Sequence, residues 1–233
     1  MAEFDAVASN YEQLVDRSIG ITGENSDYFA AYKARYVSKQ VAGASDGAHA
    51  KILDYGCGVG LLSFHLKQCL PHAQIDGFDV SESSLLRIEP ALRSQGVFSS
   101  RLADVAQDYG IIILANVLHH VDPKERRAVI SEAASHLAPG GKLVIFEHNP
   151  LNPLTRWAVA HCPFDEGVVL LPALEVSSLL TSGLKLLRRD YIVFFPKWLS
   201  GFRVFERFLN WCPAGAQHVT VARKMSRHQT WAK

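Results

Sequence analysis

The sequence predicts an α/β fold with a doubly wound, mostly parallel sheet, and three observations support this prediction. Short apolar segments alternate with amphipathic segments between residues 51 and 148, which is the order of repeated βα units. The segment Gly110–Ala115 carries no polar side chain, as expected for a strand buried on both faces of a parallel sheet. With 48% hydrophobic residues, the 233-residue chain can also bury the core that such a sheet needs.

Local patterns place the elements of this core in order. Strands are predicted at 51–55, 74–79, 97–102, 110–115 and 142–147, and helices at 61–69, 82–92 and 123–137. Pro123 suits the first turn of its helix, because a helix leaves its first backbone amides without partners. The run Pro139-Gly140-Gly141 is a strong signal that the same helix has ended.

The segments outside the core follow other patterns. Residues 1–43 are predicted to form an N-terminal helical cover, and residues 149–172, which break the βα alternation, a helical insertion on the substrate side. In the last part, 173–224, we predict a helix (173–181), a strand (185–195), an aromatic-rich helix (198–211) and a half-exposed antiparallel strand (217–223). Residues 1–233 are expected to form a single domain.

Composition narrows the class of partner. The formal net charge of +1 gives no general attraction for nucleic acid or anionic lipid. No segment approaches the ~20 apolar residues of a transmembrane helix, and the acidic N-terminus does not resemble a secretory signal. The four cysteines lack the spacing of a zinc or redox site. We therefore expect a cytoplasmic protein that contacts neither nucleic acid nor membrane; the sequence predicts no oligomeric state.

A glycine-rich loop, Asp54-Tyr55-Gly56-Cys57-Gly58-Val59-Gly60, joins the first predicted strand to the first helix. Glycines in this position let the backbone turn sharply and approach a ligand closely. A phosphate-binding loop would end in Gly-Lys-Ser/Thr, whereas Leu61 and Leu62 follow here. A dinucleotide fingerprint would have the spacing G-x-G-x-x-G, whereas these glycines occupy every second position.

Two acids refine the class of ligand. Asp54 would repel a pyrophosphate, so it favours a cationic or zwitterionic ligand. Asp79 ends the second predicted strand, where an acid can accept both hydroxyls of a ribose. Either acid alone could cap a strand end, but together with three glycines they indicate a nucleoside that carries a positive centre and no phosphates.

From Lys51 to about His148 the sequence resembles the class I S-adenosylmethionine-dependent methyltransferases. The resemblance consists of motifs in the family's order: the glycine motif, the ribose acid, Ala103-Asp104-Val105, Ala115-Asn116-Val117-Leu118-His119-His120 and Leu137-Ala138-Pro139-Gly140-Gly141. It implies a Rossmann-like seven-stranded sheet with an antiparallel C-terminal strand, and S-adenosyl-L-methionine as cofactor. The implied cofactor-binding residues are Tyr11, Asp54, Gly56, Cys57, Gly58, Gly60, Asp79, Val80, Asp104, Val105 and Asn116.

Candidate catalytic residues follow the fourth and fifth predicted strands. His119, His120, Glu147 and His148 are candidate general bases, because strand ends face the crevice of such sheets and a hydroxyl acceptor must lose a proton. The alternative for either of the first two is a packing or capping role. The pair His161-Cys162 offers two adjacent ligands without partners, which is a poor metal site, and no metal is predicted.

The acceptor is expected to be a small-molecule metabolite, apolar or aromatic in part, that is methylated on oxygen or nitrogen. Aromatic residues in the insertion and in 198–211 could line its pocket. The alternatives are a sugar or lipid-linked acceptor at a membrane surface, or a non-catalytic homologue that only binds the cofactor. Asn116-Val117-Leu118-His119 stands where nucleic-acid base methyltransferases have Asn-Pro-Pro-aromatic, so base methylation is not expected.

Overall fold

The computed structural model describes residue 16, residues 18–41 and residues 50–226, and its centre is one seven-stranded sheet. The strands are β1 (Lys51–Tyr55), β2 (Gln74–Phe78), β3 (Phe98–Ser99), β4 (Tyr109–Ala115), β5 (Leu137–His148), β6 (Leu184–Ile192) and β7 (Gln217–Lys224). Their order is β3-β2-β1-β4-β5-β7-β6, and β7 is antiparallel to both of its neighbours. The predicted sheet, mostly parallel with an antiparallel C-terminal strand, is confirmed.

Helices cover both faces of this sheet. The α-helices are α1 (Ser26–Val41), α2 (Leu61–Cys69), α3 (Glu82–Leu85), α4 (Pro90–Arg93), α5 (Arg126–Ser135), α6 (Pro153–Ala160) and α7 (Ala173–Ser178). In the described part of the chain, 3₁₀ helices accompany them at Gly20–Thr22, Leu102–Asp104, Leu118–His120, Pro163–Asp165 and Lys197–Phe208. Among the described residues, no helix combines the length and the apolar character needed to cross a membrane.

Alternate residues of the central strand β4 pack into two separate cores. Ile111 and Ile113 belong to a cluster with α1 and α2, whereas Ile112 and Leu114 belong to a cluster with α5. This division follows from the pleat, because successive side chains of a strand point to opposite faces. All four isoleucine and leucine side chains are buried, so the apolar run at 110–115 records a strand covered on both faces.

Several predicted elements have different bounds; the helix predicted at 123–137 spans Arg126–Ser135, because β5 already begins at Leu137. The helix predicted at 82–92 is divided into α3 and α4, because Pro90 cannot continue a helix and instead starts a new one. The strand predicted at 97–102 is reduced to the two residues of β3. The strand predicted to reach residue 195 ends at Ile192, where Val193 adopts a left-handed backbone with φ of 59°.

Two further expectations concern predicted helical segments near the two ends of the chain. The helix predicted around residues 198–211 is a 3₁₀ helix over Lys197–Phe208. Tyr11, which the resemblance implies as a cofactor-binding residue, lies outside the described residues, and so do the other residues of the predicted N-terminal cover before residue 16.

Candidate active site

A cavity of about 670 Å³ lies at the carboxyl ends of the parallel strands. The end of β1, the glycine loop, the end of β2 and the segment after β4 all contribute to its wall, and α1 covers it from one side. The strand order reverses between β1 and β4. Ligands of open α/β sheets bind at this topological switch point.

The glycine loop adopts a backbone that other residues rarely reach. Gly56, Gly58 and Gly60 have φ values of 80°, 53° and 81°, in the left-handed region that glycine enters without steric cost. The amides of Gly56 and Cys57 both donate to the carbonyl of Phe78, at 2.7 and 3.1 Å. These bonds tie the loop to the end of β2. A Cβ on Gly58 would meet no atom within 4 Å.

We expect Gly56→Ala to destabilise the fold by several kcal/mol, since a Cβ there would lie 2.5 Å from Cγ2 of Val117 and the φ is strained as well. Gly58→Ala is the matched control, because it carries the same backbone strain without a clash and should cost about 1–2 kcal/mol. Denaturant unfolding of both variants measures the difference. Equal losses would show that the contact with Val117 has no effect.

Asp79 is held rigidly at the end of β2. Its Oδ2 accepts a hydrogen bond from the Gly58 amide (2.7 Å), and its Oδ1 accepts one from the Ser81 amide (2.9 Å). Burial raises the pKa of Asp79, although these two bonds oppose the shift. Each carboxylate oxygen keeps a second lone pair for a donor, so Asp79 can still accept the hydroxyls that the sequence analysis assigned to it.

Asp54 and Lys33 are two buried ionisable residues in the cavity wall. Asp54 is fully buried and accepts a hydrogen bond from the Ser63 hydroxyl at 2.7 Å. Burial raises the pKa of Asp54 to about 6. Burial also lowers the pKa of Lys33 to about 8, against the attraction of Glu147 and Asp54. Sequence analysis missed Lys33; the signal was its position between Phe29 and Val37 on the apolar face of α1.

Asn116 shows that this wall is suited to a polar ligand. The residue follows β4 in a left-handed conformation with φ of 60°, and its Oδ1 is buried without a hydrogen-bond partner among the described residues. A buried acceptor without a partner costs free energy, which a donor on a bound ligand would recover. Together with the open space at Gly58, this orphan acceptor fits a nucleoside-type cofactor.

Most of the predicted cofactor-binding residues that the structure describes line the cavity, and three do not. Asp54, Gly56, Cys57, Gly58, Asp79, Val80 and Asn116 line the cavity. Gly60 starts α2 and packs against Ile88. Asp104 instead forms an exposed ion pair with Arg101 (3.0 Å), and Val105 is buried in the core. Neither is part of the described cavity wall, so their contact with adenine stays a prediction.

A buried histidine and a buried glutamate lie at the ends of β4 and β5, where His119 lines the cavity. His119 Nδ1 donates to Glu147 Oε2 at 2.6 Å, and Glu147 Oε1 accepts a bond from the Leu118 amide at 2.7 Å. They meet because β4 and β5 pair in parallel, with Ala115 opposite Phe146. The side chain of His119 is 1% exposed, so this pairing is shielded from solvent.

A second carboxylate faces the same histidine from the insertion. Asp165 Oδ1 lies 3.5 Å from Nε2 of His119 and 3.5 Å from Nε2 of His120. The ring of His148 lies 5.1 Å from that of His119. Sequence analysis identified the histidines and Glu147 but missed Asp165, because no local pattern connects an acid in the insertion to the end of β4.

These contacts give the three histidines different pKa values. Burial by itself lowers the pKa of His119, but the charges and hydrogen bonds of Glu147 and Asp165 raise it to about 9. Burial and the charge of His119 lower the pKa of His120 to about 4 and that of His148 to about 3. Burial opposes ionisation of Glu147, yet His119 holds the pKa of Glu147 below its usual range.

Known proteins resemble this chain in sequence. A family model described as a methyltransferase domain matches residues 29–224. A relative named ribosomal RNA small subunit methyltransferase C, from Acinetobacter baylyi, is 29% identical over 113 residues, which cover 44% of this chain and 33% of that protein. An uncharacterised Synechococcus protein is 35% identical over 105 residues, 41% of this chain and 25% of that protein. The chain thus spans a third or less of these two relatives.

Solved structures share the fold at low sequence identity. The N-methyltransferase NodS from Bradyrhizobium japonicum, in complex with S-adenosylhomocysteine, has a TM-score of 0.58 at 19% identity and covers 93% of this chain and 100% of its own. Magnesium protoporphyrin IX methyltransferase from Synechocystis, also with S-adenosylhomocysteine, has a TM-score of 0.61 at 19% identity, covering 90% and 87%. The match to the family model, the motifs in the sequence and the seven-stranded sheet all indicate the same family. The chain belongs to the methyltransferase domain family, as its resemblance to class I S-adenosylmethionine-dependent enzymes predicts.

Proposed function

We propose that this chain transfers a methyl group from S-adenosylmethionine to a hydroxyl oxygen of a small-molecule acceptor. The observation that carries the proposal is the buried bond from His119, which lines the cavity, to Glu147. An amine acceptor that arrives neutral needs no base, whereas a hydroxyl must lose its proton as it reacts. A buried histidine held by a carboxylate is suited to that task.

The cofactor supplies an electrophilic methyl group, and the chain's residues supply position and proton transfer. Glu147 accepts the Nδ1 proton of His119, which leaves Nε2 as the atom that can accept a proton in the cavity. Glu147 therefore acts as a positioning residue, and it stabilises the imidazolium once the proton has moved. Alignment of the two reactants in a closed cavity can contribute ~7–11 kcal/mol to the lowering of the barrier.

The cavity wall favours an acceptor with an apolar part. Phe29 on α1, Leu154 on α6 and the run from Phe194 to Pro196 are among the residues that line it. Apolar walls with a few convergent polar groups are typical of small-molecule sites. The ribosomal RNA methyltransferases match less than half of this chain, and the segment after β4 lacks the Asn-Pro-Pro-aromatic motif.

A divalent cation is the alternative occupant of the polar cluster. His119, His120 and Asp165 each offer one ligand atom, and these atoms lie within 4.8 Å of one another. A metal binds a histidine only through a neutral, deprotonated nitrogen. The raised pKa of His119 favours a proton at this position over a cation, and the absence of a metal stays a prediction.

A methyl-transfer screen with labelled S-adenosylmethionine tests the proposal. Acceptors are supplied as matched pairs in which the same aromatic ring carries either a hydroxyl or an amine. We expect label in the hydroxyl compounds and unchanged activity after treatment with a chelator. Label in amines alone would contradict the proposal, and chelator loss restored by one divalent cation would assign the cluster to a metal. Cofactor binding without transfer to any acceptor would indicate a non-catalytic homologue.

A further inference from the structure

A cluster of exposed apolar side chains lies on the 3₁₀ helix Lys197–Phe208 and the turn after it. This aromatic patch consists of Trp198, Phe202, Val204, Phe205, Phe208 and Trp211. Its members are between 52% and 76% exposed, and the rings of Phe202 and Phe205 lie 6.5 Å apart. Exposed apolar clusters of this kind mark interaction surfaces in soluble domains.

The polar side chains of the same segment point the other way. Glu206 is buried and accepts hydrogen bonds from the Phe194 amide (2.9 Å) and the Tyr32 hydroxyl (2.9 Å). Arg203 donates to Glu24 at 2.7 Å and to the carbonyl of Phe195 at 3.1 Å. A surface helix ordinarily buries its apolar side and exposes its charges. Here that orientation is reversed. The segment cannot rotate to bury its apolar side without breaking these hydrogen bonds and the ion pair between Arg203 and Glu24.

The charge that remains on the outer face is positive. Lys197 and Arg207 are exposed, whereas Glu206, the only acid between residues 197 and 211, is buried. Tryptophan and phenylalanine beside lysine and arginine, with no exposed acid, form the composition of segments that lie in the interface of an anionic bilayer. A tryptophan stands near each end of the patch, and tryptophan is enriched at membrane–water interfaces.

The aromatic patch is continuous with the opening of the cavity. Phe195 and Pro196 line the cavity and lead directly into the patch, and the ring of Phe195 lies 5.9 Å from that of Phe202. Leu154 also lines the cavity and is 47% exposed, and Trp157 on the same helix is 42% exposed. Two elements that line the cavity, α6 and the segment that leads into the patch, therefore also carry exposed apolar side chains.

We infer that the aromatic patch docks onto the surface of an anionic lipid bilayer and holds the cavity opening at the level of the headgroups. An acceptor with an apolar tail would then enter the cavity from the bilayer; that second statement rests on the proposed function, whereas docking does not. The net charge of +1 led the sequence analysis to expect no membrane contact. Net charge averages over the whole chain, whereas docking depends on one local surface.

Vesicle flotation with the full chain tests the docking. Vesicles of phosphatidylcholine alone are compared with vesicles that contain about 30% phosphatidylglycerol. We expect the wild-type chain to float with the anionic vesicles, and to bind them at least about tenfold more tightly than the neutral ones, with the difference reduced by salt.

Two double variants separate the apolar and the charged contributions. Trp198→Ser with Phe205→Ser should lower binding to anionic vesicles at least about tenfold, and Lys197→Glu with Arg207→Glu should reduce it to the level seen with neutral vesicles. Leu86→Ser with Leu174→Ser is the matched control, because both leucines are 69% exposed outside the patch. It should bind like the wild type, and all variants should keep the wild-type unfolding midpoint.

Other occupants of the patch have distinct outcomes. If a second copy of the chain covers it, the wild type will not float, and the Trp198→Ser, Phe205→Ser variant will change from dimer to monomer in light scattering. If another part of the chain covers it, the same variant will lose thermal stability and no variant will float. Either result overturns the inference. Binding of S-adenosylhomocysteine by calorimetry should be unchanged in every variant, so failure of docking stays distinguishable from failure of the proposed function.

Discussion

His119→Gln is expected to lower the rate constant for methyl transfer to a hydroxyl acceptor by about 10²–10⁴-fold, the usual contribution of a positioned general base. Glutamine is chosen because its amide can still donate to Glu147. Removing the donor altogether would leave a buried carboxylate unpaired, which costs several kcal/mol of stability. Steady-state kinetics with saturating cofactor measures the loss in kcat, and the affinity for S-adenosylhomocysteine should change little.

His161→Gln is the matched control, because this exposed imidazole stacks on Trp157 and, among the residues that the structure describes, bonds the Trp157 carbonyl alone. The same substitution at His120 should cost less than about tenfold, since its low pKa makes His120 a poor proton acceptor. A loss at His120 as large as that at His119 would transfer the role to His120. Unchanged turnover in His119→Gln would refute the proposed base.

The pH profile gives a second readout of the same role. His119 must be neutral to accept a proton, and its pKa is raised to about 9. The rate should therefore rise with pH and level off above about pH 9. Asp165→Asn removes one of the two carboxylates that raise this pKa, so the rising limb should move to lower pH. A structural role for Asp165 would lower the rate at every pH without moving the limb.

Strands were predictable from sequence where burial imposes one pattern on every residue. Ile111 to Leu114 face two cores in alternation, so an unbroken apolar run had one reasonable interpretation. The prediction of one helix at 82–92 is wrong because Pro90 interrupts a helix whatever the apolar periodicity around it. The strand at 185–195 was too long because the left-handed turn at Val193 is set by tertiary contacts and leaves no local signal.

The candidate site divides along the same line. The glycine loop, Asp54 and Asp79 come from the ends of neighbouring strands, so their proximity follows from the order of strands in a parallel sheet. Asp165 reaches His119 from an insertion whose path no strand order fixes. Lys33 is similar, because a lysine on the apolar face of a helix becomes informative only when it is known which charges lie opposite. The hydrophobic periodicity of a sequence does not reveal long-range contacts of this kind.

Asp79→Ala is expected to weaken the binding of S-adenosylhomocysteine by about 10–150-fold, the cost of one hydrogen bond to a charged group at ~1.5–3 kcal/mol. Isothermal calorimetry measures the affinity, and the unfolding midpoint of the free variant reports how far the loop depends on the bonds from the Gly58 and Ser81 amides to Asp79. Asp104→Ala is the comparison, because Asp104 is exposed and paired with Arg101. A loss in Asp104→Ala equal to that in Asp79→Ala would place adenine against Asp104, as the family resemblance implies. Wild-type affinity in Asp79→Ala would remove the ribose assignment, and with it the physical reason for preferring a nucleoside to any other ligand of this loop.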